Sequence, residues 1–267
     1  MSLQRYFLQL SYQGTNYCGW QWQRNAPNSV QGSLQSALAQ VLHQPVTVVG
    51  CGRTDAGVHA SAYYAHFDLA TPLPGRFRTI LNHALPPDIA VQSVQPVSAD
   101  LHARYSATQR TYRYYFHTHK QPIWHQTSTY LPFLEKPLDF EAMQAAATHL
   151  LHYDDFRAFC KVPDRHTHTR CTVVRAKLSH EEEPFVFEIT ADRFVRGMVR
   201  LIVAQLLEVG KGKITAIDFE QMLRTRQRPP HLVFAPPQGL YLTQVVYPTL
   251  SKLYGDSDKN PGPNFLR

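Results

Sequence analysis

The segment Gly50-Cys51-Gly52-Arg53-Thr54-Asp55-Ala56-Gly57-Val58-His59-Ala60 sets a carboxylate, a guanidinium and an imidazole close together between two runs of strand-forming residues. Gly50, Gly52 and Gly57 allow positive φ or the close approach of another molecule. A rigid loop displaying Asp and Arg is one way to mount a nucleophile and a substrate clamp. The same spacing also fits a plain hairpin loop in which Asp55 bonds its own backbone and Arg53 is solvated. His59 reads less as a general base than as a brace for the Asp55 loop through a ring hydrogen bond. Arg200 stands on an apolar helical stretch beside Met198, Val199, Leu201 and Ile202, so its charge must find a partner or snorkel, and Asp55 is a candidate. Tyr112 alternates with Arg113 in a strand and reads as core or as a platform for a flat substrate, and Leu240 reads as core. His166-x-His168-x-x-Cys171 offers imidazole and thiolate, yet no fourth ligand stands at a usual spacing, so no metal site is expected.

These residues need elements to position them. Arg5 to Tyr12 alternates as a half-buried strand, and Ser29 or Asn28 caps a helix carrying Val30, Leu34, Ala37, Leu38 and Val41. Val46 to Cys51 and Ala60 to Leu69 read as strands flanking the Asp55 loop. Arg78 to Leu85 reads as a short helix stopped by Pro86-Pro87, and Ile89 to Val97 as a strand. The order then repeats. Tyr112 to Phe116 is a strand, Asp139 caps a helix, Cys171 to Leu178 and Pro184 to Ala191 form a hairpin across Glu181-Glu182-Glu183, Phe194 to Val209 and Thr215 to Arg224 are helices, and Leu240 to Tyr247 closes as a strand. Each half spells strand, helix, strand, strand, helix, strand. That predicts an α+β sandwich of two ferredoxin-like or RRM-like βαββαβ halves with adjoining antiparallel sheets and a cleft between them. The expected boundaries are 1–105 for the half with the Asp55 loop, 106–248 for the half with Tyr112, Arg200 and Leu240, and 249–267 for a loose, Gly- and Pro-rich tail.

Of the 267 residues, 43% are hydrophobic and 18% charged, which excludes a disordered or coiled-coil chain. No window approaches a membrane span, and the four cysteines form no C-x-x-C pair, as expected of a cytoplasmic protein. A net charge of +7 suits a polyanionic partner. Lys161, Arg165 and Arg170 beside Phe156 and Phe159 read as a basic loop that touches RNA. Arg5, Arg24, Arg76, Arg78, Arg104 and Arg110 are further candidate phosphate contacts.

The string Gly52-Arg53-Thr54-Asp55-Ala56-Gly57-Val58-His59 resembles the active-site motif of the TruA family of tRNA pseudouridine synthases. Tyr12-Gln13-Gly14-Thr15, Tyr17-Cys18-Gly19-Trp20-Gln21, Ser29-Val30-Gln31, Asn82-His83-Ala84-Leu85-Pro86, His102-Ala103-Arg104-Tyr105-Ser106-Ala107, Tyr112-Arg113-Tyr114, Met198-Val199-Arg200, Glu208-Val209-Gly210 and Gly239-Leu240-Tyr241-Leu242 follow in that family's order. The resemblance spans roughly residues 4 to 248. Gln13 and Ala204 depart from it, at positions where Asp and Gly are common.

The resemblance implies isomerisation of uridine to pseudouridine in the anticodon arm of tRNA, at positions 38, 39 and 40, without metal or organic cofactor and by a homodimer. It implies Asp55 as the catalytic residue, Arg53 as the group entering the stack when the uridine is extruded, Tyr112 as packing on the target base, Arg200 as the partner of Asp55 and Leu240 as an apolar wall. Uracil must leave its ribose at N1, turn and rejoin through C5 while enclosed, and one carboxylate serves either by attack on sugar or base or by removing the C2′ proton. Two rival classes fit less well. A non-catalytic pair of RRM-like folds should carry the stacking-aromatic string of that module, and an aspartate-dependent hydrolase or nuclease should carry a second carboxylate near the loop; neither is present.

Overall fold

In a computed structural model that describes residues 3–228 and 232–248, the alternating first segment is strand β1 (Gln4–Tyr12). It is followed by helix α1 (Val30–Leu42), the two-residue strand β2 (Val49–Gly50), β3 (His59–Leu69), α2 (Phe77–Ala84) and β4 (Ile89–Val97). β1 lies antiparallel between β4 and β3, and β2 pairs antiparallel with the far side of β3, giving the order β4-β1-β3-β2. Register places Tyr6 opposite Phe67, Leu8 opposite Ala65 and Leu10 opposite Tyr63. This face meets the helices through Phe67 and Phe77, and α1 packs on α2. The expected strand at Val46 to Cys51 shrinks to Val49–Gly50 because helix side chains occupy the backbone of Val48. Its N–H donates to Gln35 Oε1 (3.0 Å) and its carbonyl accepts from Gln31 Nε2 (2.8 Å). β3 is buried on both faces, where alternation suggests one: Phe7, Tyr64 and Tyr247 form an aromatic cluster on the second face.

The second unit, Gln109–Leu240, is built from β5 (Gln109–His117), β6 (Thr129–Tyr130), α3 (Phe140–His149), β7 (Val173–Ser179), β8 (Phe185–Ala191), α4 (Met198–Gly210) and α5 (Ala216–Thr225). β8 is antiparallel to both β5 and β7, and β6 runs parallel on β5. Asp139 caps α3 by accepting the Ala142 N–H, and Thr215 and Asp218 form a reciprocal capping box on α5. α4 begins four residues later than the apolar pattern suggests, because Gly197 takes φ +75° at its N-cap. The last strand, β9 (Leu240–Val246), pairs in parallel with β3 through His59↔Tyr241 and Ala60↔Leu242, and from Tyr241 onward it is grouped with the unit that runs to Thr108. Strands and helices together make an α+β fold. The expected tail at 249–267 lies outside the described residues.

Candidate active site

The Asp55 loop is clamped by the segment that follows β1. Tyr12 Oη and Thr54 Oγ1 lie 2.9 Å apart, Trp20 N–H donates to the Thr54 carbonyl (3.2 Å) and Gly57 N–H donates to Tyr17 O (3.3 Å). Gly14 N–H donates to Nδ1 of His59 (3.0 Å), so the neutral ring carries its proton on Nε2. That ring is 1% exposed and stacks on Tyr241 at 4.5 Å, and the imidazole therefore braces the loop as expected. Behind the loop, Trp20 stacks on Tyr63 at 4.0 Å, and the Tyr63 hydroxyl donates to Gly52 O (2.5 Å). Asp88, which sequence reasoning missed, holds the clamp itself. Its carboxylate accepts from the Tyr17 hydroxyl and from Asn16 Nδ2 (3.3 Å), and its carbonyl accepts from Gln13 N–H (2.9 Å). Burial, then Asp88, raises the Tyr17 hydroxyl well above its ordinary range, so it stays a donor.

The glycines divide by physical need. Gly19 has φ +101°, and a Cβ there would lie 2.4 Å from the Thr54 carbonyl. A Cβ at Gly14 would lie 1.9 Å from Val58 O, and one at Gly50 would meet Tyr63 and Trp20. Of the three loop glycines only Gly57 takes positive φ, +78°. Gly52 has open space at its Cβ position, so nothing within the fold demands a glycine there. Arg53 is exposed and Asp55 half-buried on this locked loop. Val58 N–H donates to the Asp55 carbonyl (3.2 Å) and closes the turn.

In the second unit, half-buried Tyr112 on β5 meets the edge of Phe194 with centroids 5.0 Å apart. Arg200 lies in the first turn of α4 and is pinned to the irregular stretch before β9: its Nε donates to Ala235 O (2.7 Å), and Ala235 N–H donates to Arg200 O (3.1 Å). The guanidinium carbon lies 5.4 Å from the Phe234 ring centroid, and Lys161 Nζ lies at the same distance from that centroid. Phe234 falls in an aperiodic stretch, so no periodic signal marks it. Leu240 is buried at the start of β9.

The basic candidates are distributed over both units. Arg24 is exposed in a turn closed by the Gln23↔Ala26 bridge, and Arg76 is exposed at the left-handed N-cap of α2. Arg78 donates to Gln92 O (2.8 Å), Arg110 donates to Asp192 O (2.9 Å), and Arg104 lies over the Tyr105 ring. Arg165 is exposed in a 3-10 turn. Two expectations change. Arg5 is committed to Asp68 through Nε and Nη2 (both 2.8 Å) and to the carbonyls of Ala99 and Leu101, so it is a structural cation. Phe156 and Phe159, expected to adjoin the basic loop of Lys161, Arg165 and Arg170, are both fully buried, so any contact that loop makes is through its charged side chains and not these rings. The His166, His168 and Cys171 set is split: the Cys171 thiol is buried and pushed up to about 12 by that burial, while the His168 ring faces the Arg193 guanidinium at 3.1 Å. Among the described residues no group of three or more His, Cys, Asp or Glu is arranged to hold a metal, and no helix is long and apolar enough to cross a membrane.

Residues 10–106 and 146–248 match the family profile described as tRNA pseudouridine synthase. The tRNA pseudouridine synthase A of Bacteroides fragilis is 46% identical over 254 residues, covering 93% of this chain and 98% of its own. That of Porphyromonas gingivalis is 43% identical over 252 residues, covering 92% and 98%, and that of Rippkaea orientalis is 41% identical over 253 residues, covering 91% and 83%. Among solved structures, a protein of unknown function from Galdieria sulphuraria covers 80% of this chain at 10% identity, and its TM-score of 0.22 is too low to bear on the fold.

Proposed function

This chain belongs to the tRNA pseudouridine synthase family, and from that premise we propose that it isomerises uridines 38, 39 and 40 in the anticodon arm of tRNA with Asp55 as its catalytic residue and no metal or organic cofactor. The observation that carries this reading is the clamp on the Asp55 loop. Tyr12, Gly14, Tyr17, Gly19 and Trp20 all spend hydrogen bonds or close contacts on residues 54 to 59, so the carboxylate is offered from a loop that cannot drift. In the reaction the N1–C1′ bond breaks, a C5–C1′ bond forms, the C5 proton is released and N1 becomes protonated. An ionised carboxylate serves by attack or by taking the C2′ proton, and both routes end with loss of the C5 hydrogen.

The target base is stacked in its stem and must be extruded, at a cost of a few kcal/mol. Exposed Arg53 fills the vacated stack, Tyr112 packs on the base, Arg200 partners the carboxylate and Leu240 walls the pocket. Arg24, Arg76, Arg78, Arg104, Arg110, Lys161 and Arg165 contact phosphates. The two halves act as ferredoxin-like βαββαβ domains, which the β4-β1-β3-β2 order of the first supports. A homodimer is supported by two large apolar side chains that the second unit leaves in solvent, Ile123 at 85% and Phe133 at 99% exposure. A tRNA substrate puts the work in the cytoplasm.

The test is tritium release from tRNA labelled at uridine C5. Release by the wild-type chain should persist in EDTA and fall by at least about a thousandfold in Asp55→Ala, with the melting temperature preserved. Tight tRNA binding with no release would instead make the protein a binding module.

A further inference from the structure

Residues 101–106 of the first unit hold an aromatic ring out in solvent on a closed turn. Tyr105 is 76% exposed, yet its backbone N–H and that of Arg104 both donate to Nδ1 of His102, at 3.2 and 3.0 Å. His102 N–H donates to Ser106 Oγ (2.9 Å) and Ser106 N–H donates back to His102 O (3.0 Å). The His102 ring lies 4.4 Å from the Tyr105 ring on one side and 4.8 Å from the buried His66 ring on the other. His66 in turn accepts the Ala103 N–H on Nδ1 (3.1 Å). The Arg104 guanidinium sits 5.6 Å from the Tyr105 centroid. Burial, then the charges of Arg5 and Arg104, hold His102 below its ordinary range, which keeps its Nδ1 able to accept both backbone donors. A fold gains nothing for its own core from ordering a large ring in water, whereas a preorganised ring loses little freedom when a flat ligand lands on it.

We propose that Tyr105 is a stacking platform for a nucleobase of the bound tRNA, with the Arg104 guanidinium, which lies over the ring in the free protein, turning aside to the adjoining phosphate as the base lands. The proposal rests on the reading of this chain as a tRNA enzyme. β3 carries His59 beside the Asp55 loop and His66 beneath the platform, and seven residues of strand separate them by about 23 Å. The stacked base is therefore a different nucleotide from the one that reacts, and the platform serves affinity rather than the chemical step. The ring face does the work, so phenylalanine and tryptophan should substitute for tyrosine.

Titration of full-length unmodified tRNA into wild type, Tyr105→Ala, Tyr105→Phe, Tyr105→Trp and His102→Ala, alongside KM and kcat from tritium release, tests this. We expect Kd and KM to rise about tenfold in Tyr105→Ala with kcat within about twofold, Phe and Trp variants to stay near wild type, and His102→Ala to weaken binding by freeing the turn. Unchanged Kd in Tyr105→Ala, or failure of Phe to restore it, overturns the platform. A changed molecular mass of Tyr105→Ala by light scattering also overturns it, since the ring would then belong to a subunit contact. Wild type that binds tRNA but releases no tritium sinks the synthase reading alone, because the Kd comparison still decides the platform.

Discussion

Arg200 shows how a single cation is aimed. Its Nε is spent on the Ala235 carbonyl, which fixes the plane of the guanidinium, and the Phe234 ring lies alongside that plane at 5.4 Å. The ring is itself seated by Gly197: a Cβ there would come within 2.7 Å of Phe234 Cε1, so the positive-φ glycine that starts α4 also makes room for the platform. A cation over a half-buried ring gains roughly 1 kcal/mol beyond ordinary contact, equivalent to about a fivefold change in rate if the interaction holds through the chemical step. Phe234→Leu keeps apolar bulk and removes the π face. It should lower kcat about fivefold with the melting temperature nearly unchanged, and Phe234→Tyr should restore the rate. Equal rates in the Leu and Tyr variants would show that bulk, and not the ring face, positions Arg200.

At the scale of elements, the clamp and the loop behave as one unit, and their glycines offer a matched pair of tests. Gly19→Ala meets both a left-handed backbone and the Thr54 carbonyl, and should lower the melting temperature and kcat together by displacing the loop, at roughly 2 kcal/mol or more of stability. Gly52→Ala meets neither obstacle, so its melting temperature should match wild type while tRNA turnover falls, because the added methyl stands where substrate must approach. A destabilised Gly52→Ala or a fully active Gly19→Ala would break this division. Much of the element order is legible from residues alone: Asp139 marks its helix by cap chemistry, and Gln4–Tyr12 appears by alternation. What escapes is set by long-range partners. Gln31 and Gln35 take the backbone of Val48 away from a strand, two-residue β6 is held by Tyr114 Oη near Thr129 Oγ1 and by the His117–Tyr130 stack, and Asp88 reaches the clamp from beyond α2. The loop motif marks Asp55 and Arg53 in the sequence, whereas Phe234 becomes visible only once Arg200 and Lys161 are folded against it.

For the whole molecule, the cluster beneath the Tyr105 turn ties stability to pH. His66 is 3% exposed and its pKa is lowered to about 4, first by burial and then by the charges of Arg5 and His102. Its Nδ1 is occupied by the Ala103 N–H, so the folded state resists the proton that the unfolded chain accepts near pH 6.5. Between those values the unfolded state binds more protons. Stability is therefore fully present above about pH 6.5 and declines as pH falls toward 4, by up to roughly 3 kcal/mol. His102, His117 and His166 are shifted in the same direction, mainly by burial, and deepen the decline. Asp68, held low by its hydrogen bonds to Arg5, adds a separate loss at lower pH, below the ordinary carboxylate range. A chain of net charge +7 with 14 histidines also gains positive charge on acidification, and self-repulsion would lower stability in the same window. Salt separates the two causes: repulsion between exposed charges is screened at about 0.5 M salt, whereas the burial of one imidazole is not. Thermal melts from pH 7.5 to about 2.5 should fall at both low and high salt in the wild type, and His66→Gln should flatten most of the high-salt slope above pH 4 while leaving the Asp68-linked loss below pH 4 in place. A slope that vanishes in salt, or that survives His66→Gln unchanged, would assign the acid sensitivity to surface charge instead.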